Sequence, residues 1–212
     1  MSPYLRPEYQ NEVRIRLRFY ELEFQALGRN EAQLLAPSEG RFREGAVGFP
    51  ARVGDTNGEA SLFLWTDSDT YLMWAREAFG WPVVKAEIEL QGPIWSAAEL
   101  EGTSGGARLR DPWGTAAIVE AHVIQHVGSG SPAGVWLTPR RVLRRAGLDE
   151  DARELLVVRP AVRLPGARYR AEGRIAIDFA PGHPLHGLNA AEAELDVVDG
   201  FELIVGGDVE VL

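Results

Sequence analysis

The chain has 212 residues, 45% of them hydrophobic, and its 31 acidic against 22 basic side chains give a net charge of −9. A surface of that sign disfavours nucleic acid as a partner, because phosphate binding needs a basic face, and the short run Arg140, Arg141, Arg144 and Arg145 does not reverse it. The absence of cysteine excludes disulfides, thiolate catalysis and cysteine-ligated zinc or iron–sulfur sites. No apolar stretch approaches the length that crosses a bilayer, and the start, MSPYLRPEYQ, lacks the apolar core of a signal peptide, so a cytoplasmic protein with no membrane partner is expected. A chain of this size can bury one substantial core and nothing in it reads as a long linker, so a single domain over 1–212 is expected.

In chain order, strand signals dominate. Residues 12–24 alternate charged or polar with apolar side chains (Val13, Ile15, Leu17, Phe19), which predicts a long half-buried strand with its arginines outward. Strands over 46–53 and 60–66 flank Asn57-Gly58, a dipeptide suited to a tight hairpin because both residues tolerate positive φ. Asp67 or Ser68 caps a helix through Phe79, with Tyr71, Leu72, Ala75, Ala78 and Phe79 at helical spacing and Gly80 and Pro82 to stop it. Further strands are predicted at 83–90, 115–127, 155–164 and 169–179, with flexible loops at 102–106 and 128–134. A second short helix is predicted from Thr138 and Pro139 to a stop before Gly147. Residues 193–198 and 201–205, separated by Asp199-Gly200, predict a C-terminal hairpin. No internal repeat is present, and the glycines of GSGSPAG lack the strand–turn–helix context of a phosphate cradle.

Over 40–90 the chain resembles the acetoacetate decarboxylase family. The family's glycine, aromatic and glutamate ahead of an apolar strand read here as Gly40, Phe42 and Glu44; its hairpin, Arg-Glu pair and aromatic-Pro segment read as Asn57-Gly58, Arg76-Glu77 and Trp81-Pro82. Near the end, RIAIDFAPGHPLHGL from Arg174 is similar to the family's strand followed by a Pro-Leu turn. The resemblance implies a mainly antiparallel β fold (α+β), a curved, barrel-like sheet around a closed pocket with few short helices, usually as homo-oligomers. It also implies a small-molecule carbonyl substrate and no cofactor. In the family a lysine directly after the proline condenses with a keto acid, and the iminium withdraws electrons as carbon dioxide leaves.

This chain departs from that pattern, with Val83 after Pro82 and Val84 next. Orthodox acetoacetate decarboxylation is therefore not expected. Lys85, the only lysine beside 21 arginines, lies two residues later. On a continuous strand it shares the face of Val83, roughly 6.6 Å along it, and only a lysine amine can deprotonate and form a Schiff base. Ordinary alternation instead puts Lys85 in water beside Glu87 and Glu89, which favour its protonated form.

Glu44 matches the family's pocket glutamate, and a carboxylate there could orient water or shuttle a proton, although RFREG also reads as a charged surface loop. On the strand from Thr115, Glu120, His122 and His126 point one way; strand histidines four residues apart stand about 13 Å apart, too far to share a metal ion. This leaves His122 as a candidate acid–base group and Glu120 as a candidate substrate contact. Arg76 either braces the sheet or meets a substrate carboxylate. Among six tryptophans some wall a pocket and most pack the core, with Trp81 and the neighbouring Val83 expected to face substrate. His183 and His186 shape a turn.

The expected function is a cofactor-independent biosynthetic enzyme of secondary metabolism, a lyase or cyclase acting on a keto acid or polyketide-like carbonyl compound. Two routes stay open: an iminium at Lys85 with Glu44 as shuttle, or acid–base help from Glu44 and His122 while apolar walls fold the substrate. The rival readings are a non-catalytic ligand-binding protein on the same fold, favoured by Val83, and a decarboxylase that uses the displaced Lys85.

Overall fold

The computed structural model describes residues 6–7, 16–23, 41–131, 135–142, 152–187, 195–200 and 202–211. Period-2 alternation governs most of them, and they form thirteen strands, one α-helix and one 3₁₀ turn. The strands are β1 (Arg6–Pro7), β2 (Arg16–Glu23), β3 (Arg41–Val53), β4 (Thr56–Thr66), β5 (Val83–Lys85), β6 (Glu87–Gln91), β7 (Ser104–Arg110), β8 (Ala116–Gly130), β9 (Trp136–Val142), β10 (Ala152–Leu164), β11 (Gly166–Asp178), β12 (Leu195–Asp199) and β13 (Glu202–Val211). The helix α1 is Asp69–Phe79, and the 3₁₀ turn is Pro93–Trp95. Among the described residues no helix is long and apolar enough to cross a membrane.

The chain divides into two compact units, Met1–Val84 with Ala133–Ala161 and Ile204–Leu212, and Lys85–Pro132 with Val162–Leu203. In the first, an eight-stranded sheet runs β1-β3-β4-β9-β10-β13, with β2 added to β3 and β5 to β4. Its core joins Phe42, Leu64, Tyr71, Phe79, Trp81 and Val83, and a second cluster joins Phe49, Ala60, Leu137 and Val157. In the second, a five-stranded sheet runs β12-β11-β8-β7-β6 over a core of Ile94, Leu100 and Val123. There the buried His183 lies 3.4 Å from Asp111, whose other oxygen accepts from the Trp113 and Thr115 amides, while His183 Nδ1 accepts from Leu185 N. Both His183 and His186, which meets the Phe179 carbonyl at 2.7 Å, thus serve the turn expected of them.

Several sequence expectations need correction. The first hairpin turns at Gly54-Asp55, with Val53 opposite Thr56 and Gly54 at φ 55°, a conformation glycine adopts without steric cost. Asn57 and Gly58 lie inside β4, where a Cβ on Gly58 would stand 2.6 Å from the Val135 carbonyl oxygen. Glycine there serves a close approach of chains, not a turn. Residues 138–142 are strand, not helix, because they ladder antiparallel against 156–152; residues 143–147 of the expected helix lie outside the described residues. The expected strand over 83–90 is two strands in different sheets, interrupted at Ala86. Ser104–Gly106 and Gly128–Gly130, read as loops, belong to β7 and β8. After Gly200 the chain does not fold back on β12: β13 pairs with β10, and β12 pairs with β11. Residues 12–15, 24, 193, 194 and 201, parts of other predicted strands, lie outside the described residues.

Candidate active site

Glu44 stands on β3 opposite Thr66 of β4 and Tyr20 of β2. The end of β4 is tied to β3 at this point: Thr66 Oγ1 donates to the Arg43 carbonyl (3.0 Å), and Arg43 N donates to Asp67 Oδ1 (2.7 Å). Ser68 then caps α1, its hydroxyl accepting from Tyr71 N at 3.2 Å, and Gly80 closes the helix in a left-handed C-cap. This short route from strand to helix fixes Tyr71, in the first turn, over β3. Its ring stacks on Phe42 at 4.5 Å and its hydroxyl donates to Glu44 Oε2. Glu44 is 6% and Tyr71 4% exposed, so this hydrogen bond is buried on both sides.

A second polar pair lies on the same three strands. Arg18 of β2 donates through both terminal nitrogens to Glu59 of β4, with 2.5 Å between Nη1 and Oε1, and Arg16 reaches Glu59 Oε2 at 3.1 Å. Gly48, on the intervening β3, makes room for this: a Cβ there would stand 2.6 Å from Glu59 Oε1. The Glu59 side chain is 9% exposed and that of Arg18 20%, whereas that of Arg16 is 57% exposed. The polar groups therefore grade from the buried Glu44–Tyr71 pair to solvent at Arg16. Arginines were expected to point outward on this strand; Arg18 turns inward because a buried carboxylate needs a cation.

Burial dominates the electrostatics. It pushes the Glu44 carboxyl up to about 7, with the Tyr71 hydrogen bond and the Arg18 charge pulling only partly the other way. Burial, reinforced by the Glu44 carboxyl, also pushes the Tyr71 phenol well above its ordinary value, and burial raises Tyr20. For Arg18, burial favours the neutral form, but Tyr20 and Glu59 outweigh it and hold the guanidinium above its ordinary value. The result is a carboxyl close to half-ionised at neutral pH, beside phenols that stay protonated. Such a group can both accept and return a proton.

The other predicted residues are distributed as follows. Trp81 and Val83 are buried in the cluster that contains Tyr71, Val83 completely so. Arg76 is exposed at the end of α1 and donates from Nε to the Val83 carbonyl at 2.7 Å, which braces β5. Lys85 is exposed and opens the second unit, and exposure keeps alternating past the sheet change at Ala86, with Ala86 and Ile88 buried and Glu87 and Glu89 exposed, as ordinary alternation predicts. Glu120 and His122 lie in the second unit, both exposed, on the wall of an open cleft of about 850 Å³. Glu120 takes two hydrogen bonds from Arg174 (2.7 and 3.0 Å), which lower its carboxyl below the usual range. Arg18, Tyr20, Glu59 and the site role of Tyr71 were missed. Glu59 was hidden by the misplaced turn, which set it beside a loop, and Tyr71 by its service to the apolar face of α1.

No family model matches the sequence, and no curated protein does. Solved structures do match. An acetoacetate decarboxylase-like enzyme from Sphingomonas wittichii RW1 aligns with a TM-score of 0.65 at 18% identity, over 86% of this chain and 72% of its own. The enduracididine biosynthesis enzyme MppR, complexed with the condensation product of pyruvate and imidazole 4-carboxaldehyde, aligns with a TM-score of 0.68 at 14% identity, over 96% and 80%. An acetoacetate decarboxylase aligns with a TM-score of 0.57 at 11% identity, over 92% and 86%. The chain has the acetoacetate decarboxylase-like superfamily fold. At these identities the likeness is one of fold, and it agrees with the mainly antiparallel β architecture expected from the sequence resemblance.

Proposed function

We propose that the protein is a cofactor-independent enzyme that moves a proton on a small keto acid or polyketide-like carbonyl compound, as a lyase or cyclase, with Glu44 as the acid–base group. The observation that carries this reading is the buried Glu44–Tyr71 pair, whose carboxyl titrates close to neutrality. Proton abstraction next to a carbonyl needs a base that is ionised in part of the population and can release its proton again, and a pKa near the working pH best meets both demands. Tyr71 donates to the carboxyl and keeps one oxygen oriented, while Arg18, anchored by Glu59, moderates the pKa from the same strands. MppR, described in complex with pyruvate, supports the choice of a 2-keto acid as first probe.

Val83 argues against an iminium at the position after Pro82, and Lys85 lies on an exposed position rather than in the buried cluster that holds Val83. The test is exchange of pyruvate methyl protons into deuterated water, followed by NMR. Exchange above the buffer rate is expected, reduced about a hundredfold in Glu44→Gln, within the range of general acid–base catalysis, and unchanged in Lys85→Ala. Borohydride reduction in the presence of keto acids should leave no adduct on Lys85. An adduct there would move the chemistry to an iminium, whereas tight binding of keto acids without exchange in any variant would make this a binding protein.

A further inference from the structure

The second unit holds another pairing of chemistry-bearing side chains. Ser104 on β7 is the register partner of His122 on β8, and Ser104 Oγ lies 2.9 Å from His122 Nδ1. The same row continues to Glu172 on β11, the partner of His122 on its other side. Directly opposed residues project to one face of a sheet. Hydroxyl and imidazole therefore stand within hydrogen-bond reach, the pairing of nucleophile and base that acyl transfer uses, with the Glu172 position next in the row.

This row borders the open cleft of about 850 Å³, within the size range of small-molecule sites. In the next row β7 and β8 can close only on glycine, because a Cβ on Gly106 would stand 2.0 Å from the Val119 carbonyl oxygen. Glu120, in that same row, is engaged by Arg174, which leaves the hydroxyl to His122. Gln91 and Arg108 line the cleft as well and carry N–H donors.

We propose that Ser104 is a nucleophile toward small carboxylic esters in this cleft, with His122 as its general base. Ser104 Oγ bonds to the acyl carbon as its proton passes to His122, and the departing alkoxide takes that proton as the ester C–O bond breaks. Water then adds to the acyl-serine, giving a proton to His122, and the carboxylic acid leaves as Ser104 recovers its proton. Gln91, opposite Gly106 in the next row, supplies the donor for the negative oxygen formed in each half. Because Ser104 and His122 are exposed and water competes for both, activation belongs at the lower end of general-base effects, about a hundredfold.

The full chain treated with a fluorophosphonate is expected to carry a single adduct on Ser104 by mass spectrometry, formed about a hundredfold more slowly in His122→Ala. Because the chain has no cysteine, Ser104→Cys installs its sole thiol, and iodoacetamide should alkylate that thiol about tenfold faster with His122 present than in the Ser104→Cys, His122→Ala double variant. Absence of an adduct on Ser104, or labelling rates indifferent to His122 in both backgrounds, overturns the proposal.

Discussion

Glu44 and Glu120 are the same chemical group on antiparallel strands, one in each unit, and their surroundings drive them in opposite directions. Glu44 is buried, receives one phenol hydrogen bond, and has its carboxyl raised to about 7. Glu120 is exposed, receives two guanidinium hydrogen bonds, and has its carboxyl lowered. Loss of water is the larger effect in the first case, and a charge-assisted bond is the larger in the second. A carboxylate that is fully served by an arginine has little tendency to take a proton from a substrate. The underserved carboxylate keeps that tendency, at a cost in stability.

That cost is the largest effect expected on folding. The folded-state pKa of Glu44 lies above its unfolded value, so the folded state binds the extra proton between the two. The contribution is fully present below pH 4.5 and is lost as pH rises through about 7. A shift from 4.5 to about 7 corresponds to about 3 kcal/mol. Glu44→Gln, which still accepts from Tyr71, should therefore gain on the native protein by that amount between pH 4 and pH 8 in urea titrations. Parallel pH–stability curves for the two would mean that the carboxyl is not desolvated, and the contrast with Glu120 would collapse.

The contrast was half legible beforehand. Glu44 became a candidate only through the resemblance of Gly40, Phe42 and Glu44 to the family's segment, whereas α1 could be read from Ser68 at its start and Gly80 with Pro82 at its end, since caps act within a few residues. Alternation along β2 predicted its arginines outward, and did not show that Arg18 meets Glu59. That pairing depends on β3 lying between β2 and β4 and on the turn at Gly54-Asp55, and Asn57-Gly58 carries the stronger local turn signal. Likewise Thr138-Pro139 imitates a helix start, and only the long-range ladder with β10 makes it strand. Tertiary pairing decided each of these.

A middle-sized effect separates the two arginines. Arg18→Met leaves Glu59 buried with only the mostly exposed Arg16 as a cation, and should cost about 2 kcal/mol, below the usual loss for a broken buried pair because Arg16 remains. It also removes the positive charge that restrains Glu44, so the carboxyl should titrate higher and the pH profile of proton exchange should move upward. Restoration by Arg18→Lys should be partial, since one ammonium cannot reproduce the two-point contact with Glu59.

The smallest effect is expected from the pair with the better geometry. Arg174 meets Glu120 through Nε and Nη2 at 2.7 and 3.0 Å, yet their side chains are 69% and 53% exposed. Water solvates both ions when the contact breaks, ordering two long side chains opposes the pairing, and salt screens what is left. Arg174→Met, Glu120→Gln and the double variant should therefore melt together with the native protein at physiological ionic strength, where Arg18→Met does not. A clear loss of melting temperature in Arg174→Met that the double variant repairs would show that Glu120 is held away from water after all, making the difference between the two glutamates one of degree.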